Sequence, residues 1–149
     1  MPRPLTERER EAFLAEPHIG VLSVASDDAR PPLTVPVWYS YQPGGDLTFF
    51  TGTQGRKARK TRLIERAGVM SFCVQREAPP YRYVTVEGRL VRIERQPSAE
   101  QLAAIVGRYL PGEMARGFVA SELARPASES ELALFTVRPE RWLTFDFSE

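Results

Sequence analysis

Short β-branched and apolar runs, each bounded by turn residues, dominate the hydrophobic pattern of this chain. Ile19 to Ala25 reads Ile-Gly-Val-Leu-Ser-Val-Ala, Ser26-Asp27-Asp28 supplies turn chemistry, and Leu33 to Tyr41 resumes as a strand, which predicts a hairpin. Pro43-Gly44-Gly45-Asp46 then turns the chain into Leu47 to Thr51, making that strand an antiparallel neighbour of the one before. Val69 to Gln75 and Tyr83 to Arg95 read as two further strands around Pro79-Pro80. The second carries Val84, Val86, Leu90 and Ile93, with Gly88 marking a bulge or bend. Leu132 to Val137 and Trp142 to Phe147 read as closing strands.

Helical patterning is sparse. Thr6 caps a short first helix that carries acids from Glu7 to Glu11 and apolar Leu5, Phe13 and Leu14, and that stops at Pro17. Arg56 to Arg66 has helical composition, with Ala58, Leu63 and Ile64 apolar and Gly68 placed to end it. Ser98 caps Ala99 to Tyr109, and Pro111 to Arg125 is weakly helical. Many antiparallel strands with brief helices predict a mainly β protein closed, or nearly closed, into a barrel that leaves few exposed edges. No repeat or low-complexity tract interrupts residues 1–149, so a single domain is expected.

Composition narrows the partners. A chain of 149 residues can bury roughly 70% of its unfolded surface in one core. Its 20 basic residues against 19 acids give no global field for nucleic acid, so any anion site is local. The N-terminal residues lack a signal-peptide pattern and no window has the length of a membrane span, so a cytoplasmic protein is expected. The single cysteine, Cys73, lies between Phe72 and Val74, excludes an internal disulfide or cysteine-based zinc site, and is expected in the core. His18, the one histidine, has no motif around it, Glu87 and Asp146 are lone acids, and Trp38, Tyr39 and Tyr41 alternate as barrel and interface residues would. No metal site and no catalytic acid or base can be picked out.

The segment Phe50-Thr51-Gly52-Thr53-Gln54-Gly55-Arg56-Lys57-Ala58 is a strand running into a two-glycine turn and then two cations at a helix start. Backbone donors at a helix N-terminus add to those cations and favour an anion such as phosphate. A solvated basic helix face accounts for the same composition.

This segment also resembles the flavin-phosphate motif of the pyridoxamine 5'-phosphate oxidase family, in which an aromatic-threonine pair precedes a serine-arginine-lysine triplet. Arg82-Tyr83-Val84-Thr85-Val86-Glu87-Gly88 resembles a later strand of that family. The resemblance implies an FMN-binding, antiparallel Greek-key split β-barrel, assembled as a homodimer with cofactor in the groove between barrels. It implies that Val35, Pro36, Val37 and Trp38 lie along the isoalloxazine and that Phe50 and Thr51 adjoin the ribityl and phosphate end. It further implies that Arg56 grips the phosphate with its planar fork, that Lys57 adds a point charge, and that Tyr83 and Trp142 approach the flavin.

Three departures separate the chain from the family's vitamin B6 oxidases: Gly55 replaces the usual serine, Tyr83 a glutamine, and the C-terminal arginine-leucine-histidine segment has no counterpart. The expected activity is therefore hydride transfer between FMN, or the related deazaflavin factor 420, and another small organic substrate. Arg59, Lys60 and Arg62 would extend the basic surface toward the deazaflavin's longer acidic tail. The alternatives are a non-catalytic flavin carrier or sensor, and haem handling, for which His18 is the sole histidine ligand.

Overall fold

A computed structural model describes residues 1–52, 59–126 and 132–148. The elements run α1 (Glu7–Ala15), β1 (Gly20–Val24), β2 (Leu33–Val37), β3 (Tyr39–Tyr41), β4 (Leu47–Gly52), α2 (Arg59–Ala67), β5 (Val69–Gln75), β6 (Arg82–Arg95), α3 (Ala99–Val106), α4 (Gly112–Ala124) and β7 (Leu132–Asp146). Both sequence-predicted caps form capping boxes: Thr6 with Glu9 on α1, and Ser98 with Gln101 on α3.

The seven strands form one sheet in the order β2-β1-β5-β6-β7-β4-β3, every pairing antiparallel. β2 and β3 are the two outermost strands of this order, yet only Trp38 separates them in sequence. The sheet must therefore curl until its edges meet at that residue, so the barrel has a seam at Trp38. The run Leu33 to Tyr41, expected as one strand, is thus two, because the chain leaves β1 as partner after Val37 and takes β4 from Tyr39. The C-terminal β7 returns to lie between β6 and β4, a Greek-key path.

β7 corrects a second expectation, for it is one strand of 15 residues instead of two short ones. Pro139 sits opposite Gly88 at a register shift in the β6–β7 ladder, where a missing amide hydrogen is tolerated. Gly88 is required there, since a Cβ would come within 2.4 Å of the Val137 side chain and 3.0 Å of the Arg138 carbonyl oxygen.

Inward side chains of all seven strands, with Phe13 and Leu14 of α1 and Leu63 and Ile64 of α2, make the main core. At its centre Phe49 stacks on Phe135 at 5.1 Å and Tyr39 meets Phe72 edge-on at 5.4 Å. A second, smaller core lies under the α3–α4 hairpin, where Leu102, Val106, Ala115, Val119 and Leu132 pack beneath Trp38, Phe50, Leu110 and Phe118. Cys73 is not a core residue as expected: Met70, Phe72 and Val74 take the inward positions of β5, which turns Cys73 to the outer face, half-buried.

Candidate cofactor cleft

A cleft of about 600 Å³ opens along the barrel seam. Its floor is Pro36, Val37 and Trp38, where β2 gives way to β3, with Ile19 beside them. Phe50, Thr51 and Gly52 at the end of β4 form one side, and Lys60 reaches in from α2. Phe118 and Glu122 of α4, then Arg125, make a helical wall, and Leu132 of β7, the ladder partner of Gly52, adjoins the β4 side. Phe118 and Glu122 are four residues apart, so one helix face carries both.

Aromatic packing fixes the floor. The Trp38 indole lies nearly parallel to the Tyr109 ring, 7° apart with centroids at 5.0 Å, and tilts against Phe118 at 5.4 Å. Phe50 meets Phe118 at 6.5 Å, so the end of β4 and the wall are in ring contact. Among the described residues its charged groups are Lys60, Arg125 and Glu122, the last two paired at 3.6 Å along α4's C-terminal turn.

The other basic residues of α2 point elsewhere. Arg59 donates to the Ser26 hydroxyl at 2.7 Å, Arg62 pairs with Asp27, and Arg66 donates to the Ser26 carbonyl oxygen at 3.4 Å. Arg62 holds the Asp27 carboxyl below its usual range, chiefly through that hydrogen bond. Arg59 and Arg62 thus latch α2 to the β1–β2 turn and do not line this cleft, so of the three cations expected to extend its basic surface only Lys60 does.

The structure gathers Pro36, Val37, Trp38, Phe50 and Thr51 into this one cleft. Val35 instead faces the barrel interior and packs on the main core. Arg56 and Lys57 lie outside the described residues, in the segment between Gly52 and Arg59. Tyr83 stands on the outer sheet face beside Phe147, at 6.4 Å, and Trp142 packs on the main core with Arg10 over its ring at 4.0 Å and Tyr41 edge-on at 6.0 Å. Neither lines the cleft of its own chain. Sequence reasoning missed Ile19, Phe118, Glu122, Arg125 and Leu132; the four-residue spacing of Phe118 and Glu122 marks a shared face, but no sequence signal says what that face meets.

The lone acid Asp146 is buried at the end of β7. It accepts from the Ser148 hydroxyl at 2.5 Å and amide at 2.8 Å and pairs with Arg82 at 3.2 Å, and these contacts, the Ser148 hydroxyl first, lower its pKa. Arg3 exchanges both backbone hydrogen bonds with it, at 2.7 and 3.0 Å, so Asp146 clasps the N-terminal segment.

Solved structures share this architecture. They include an F420 reductase (24% identity, TM-score 0.67, covering 89% of this chain and 94% of that one) and a FAD-binding protein from Mesorhizobium loti (21%, TM-score 0.63, 100% and 98%). A conserved hypothetical protein from Mycobacterium tuberculosis also matches (18%, TM-score 0.68, 96% and 86%). No curated protein gives a significant sequence match. The fold is the antiparallel split β-barrel. A family profile described as pyridoxamine 5'-phosphate oxidase matches residues 6–141, and the chain belongs to that flavin-related oxidoreductase family. Among the described residues no helix is long and apolar enough to cross a membrane.

Proposed function

We propose that this protein is an FMN- or deazaflavin-dependent oxidoreductase that transfers a hydride to or from a small organic substrate other than pyridoxamine phosphate. The observation that carries the reading is the convergence, in one cleft, of the β2–β3 seam, the end of β4 and the α2 side that follows the basic segment. The donor set fits such a ligand: Pro36, Trp38, Phe50 and Phe118 offer flat apolar surfaces to a planar ring, while Thr51 and Lys60 lie toward the phosphate end. Arg56 and Lys57 hold the phosphate in this reading. A bound flavin-type ring would supply the hydride chemistry; the chain's own part is to seat it on the floor and enclose the substrate against Phe118, Glu122 and Arg125. The reading places the protein in the cytoplasm, consistent with a lone unbridged thiol.

The cofactor is proposed to lie between two copies of the chain. Supporting this, Val21, Cys73, Thr85 and Leu143 are successive cross-strand partners on the outer face of β1, β5, β6 and β7, and Pro36 of the cleft floor continues the same row. Leu143 is 60% exposed and Phe147 48%, an apolar strip suited to a second copy. Sizing that yields a stable monomer would overturn the dimer.

Titration of the purified protein with FMN and with the deazaflavin tests the site. Arg56→Ala and Lys57→Ala should each weaken binding at least about tenfold, the loss expected for a charge-assisted phosphate contact. Unchanged affinity for both cofactors in both variants would remove the assignment. A flavin held tightly yet inert toward reductants and acceptors would favour a carrier.

A further inference from the structure

The residue joining the two edges of the barrel, Trp38, is also the floor of the cleft, and Tyr109 touches the seam from the far side. The Tyr109 hydroxyl donates to the His18 carbonyl oxygen at 2.6 Å and accepts from the Tyr39 amide at 3.2 Å, while its ring is the one stacked on Trp38. One side chain therefore ties the segment just before β1 to the first residue of β3, beside the seam, and at the same time backs the indole.

The neighbouring Arg108 explains why Tyr109 is fixed. Its guanidinium donates to the carbonyl oxygens of Leu14, Ala15 and Glu16, at 3.0, 3.2 and 2.9 Å, and to that of Tyr39, so it satisfies the open C-terminal end of α1. The two residues follow directly on Gly107, the C-cap of α3, and so anchor the helical hairpin to α1 and β3 together. Burial raises the Tyr109 pKa, which keeps the hydroxyl protonated and able to donate at working pH.

We propose that Tyr109 is a positioning residue of the cleft: its hydroxyl sets the path of the chain through the seam and its ring holds Trp38 as a flat floor for the ring system of the bound cofactor. Tyr109 touches neither the cleft nor its contents and acts through Trp38. The ligand half of this inference rests on the cofactor reading above; the Trp38 half does not.

The experiment uses the full chain. In a Trp142→Phe background, where Trp38 is the only tryptophan, acrylamide quenching of the ligand-free protein is compared for Tyr109, Tyr109→Phe and Tyr109→Leu. Quenching should rise modestly in the phenylalanine variant and at least about twofold in the leucine variant, as the indole loses first its anchor and then its stacking partner. Separately, binding of FMN and of riboflavin is measured for the wild type, Tyr109→Phe and Arg56→Ala. Tyr109→Phe should weaken both ligands by the same factor, roughly three- to tenfold for the loss of the hydroxyl and its two hydrogen bonds, whereas Arg56→Ala should weaken FMN and spare riboflavin. Trp38 quenching that is the same in all three proteins overturns the proposal. So does a Tyr109→Phe variant that melts earlier yet binds both ligands as the wild type does. If the wild type binds neither FMN nor the deazaflavin, the cofactor reading fails, and the quenching series alone decides whether Tyr109 positions Trp38.

Discussion

The barrel interior and the α3–α4 hairpin each bury an apolar cluster, and the cleft lies where they meet. In the barrel, Tyr39, Phe49, Phe72 and Phe135 are among the largest fully buried side chains, and the strands that carry them are tied by antiparallel ladders. The hairpin core has smaller residues, and its outer layer, Trp38, Phe50 and Phe118, is half-buried because those rings also face the cleft. The backbone of the floor, where β2 gives way to β3, thus belongs to a frame whose cost of distortion is high, and the α4 wall to a satellite that can shift at lower cost.

The comparison can be broken most directly in the barrel. Phe49→Ala should cost about 3–5 kcal/mol and remove ligand binding together with the fold, as read by denaturant melts. Leu102→Ala in the hairpin should cost about 2–3 kcal/mol, near the low end for such truncations because a small cluster can collapse around the gap. Equal losses from the two would show a single cooperative core and no satellite. Gly88→Ala should cost about 1–3 kcal/mol, since the new methyl must displace Val137 or the backbone at Arg138.

The smallest effect concerns the N-terminal clasp. Glu9 has its pKa lowered from 4.5 to about 2, first by the hydrogen bond from Arg3 and then by the Thr6 amide, and Asp146 is lowered as well. Both carboxylates bind protons more weakly folded than unfolded, so their stabilisation is present above the unfolded values and is lost as pH falls from about 4.5 toward 2. An acid titration should release residues around Arg3 and α1 before the barrel, and Asp146→Asn should flatten that early transition. Exchange protection that disappears everywhere at one pH would contradict it.

The barrel was largely legible because local signals and tertiary demands agree. Thr6 and Ser98 cap where their side chains predict, the Ser26-Asp27 turn joins β1 to β2, and Gly88 marks the bulge. Disagreement arises where tertiary context overrides a local rule. Pro139 ought to end a strand, but opposite Gly88 its missing hydrogen costs no ladder bond, so β7 continues. Leu33 to Tyr41 alternates without interruption, and periodicity cannot show that the partner changes at Trp38. Cys73 has apolar neighbours in sequence, yet a period of two sends it outward between them. In the cleft, the β4 residues could be named because a motif carries them, and Pro36, Val37 and Trp38 because the family resemblance implies them. The α4 residues could not, since α4 has little amphipathic contrast and its docking depends on Trp38 and Phe50, far away in sequence.

The place of β7 has a consequence for the order of folding. It is the last strand of the sheet to leave the ribosome, yet it lies between β6 and β4 and supplies both with their ladders. The β1–β2, β3–β4 and β5–β6 hairpins can each form from near neighbours in sequence, but β4 has no partner on its far side until residues 132–137 arrive, 80 to 90 positions beyond the residues they pair with. Until then Phe49 lacks Phe135 and the β4 edge stays open, so closure of the barrel, and with it the completed Leu132 side of the cleft, waits for nearly the whole chain.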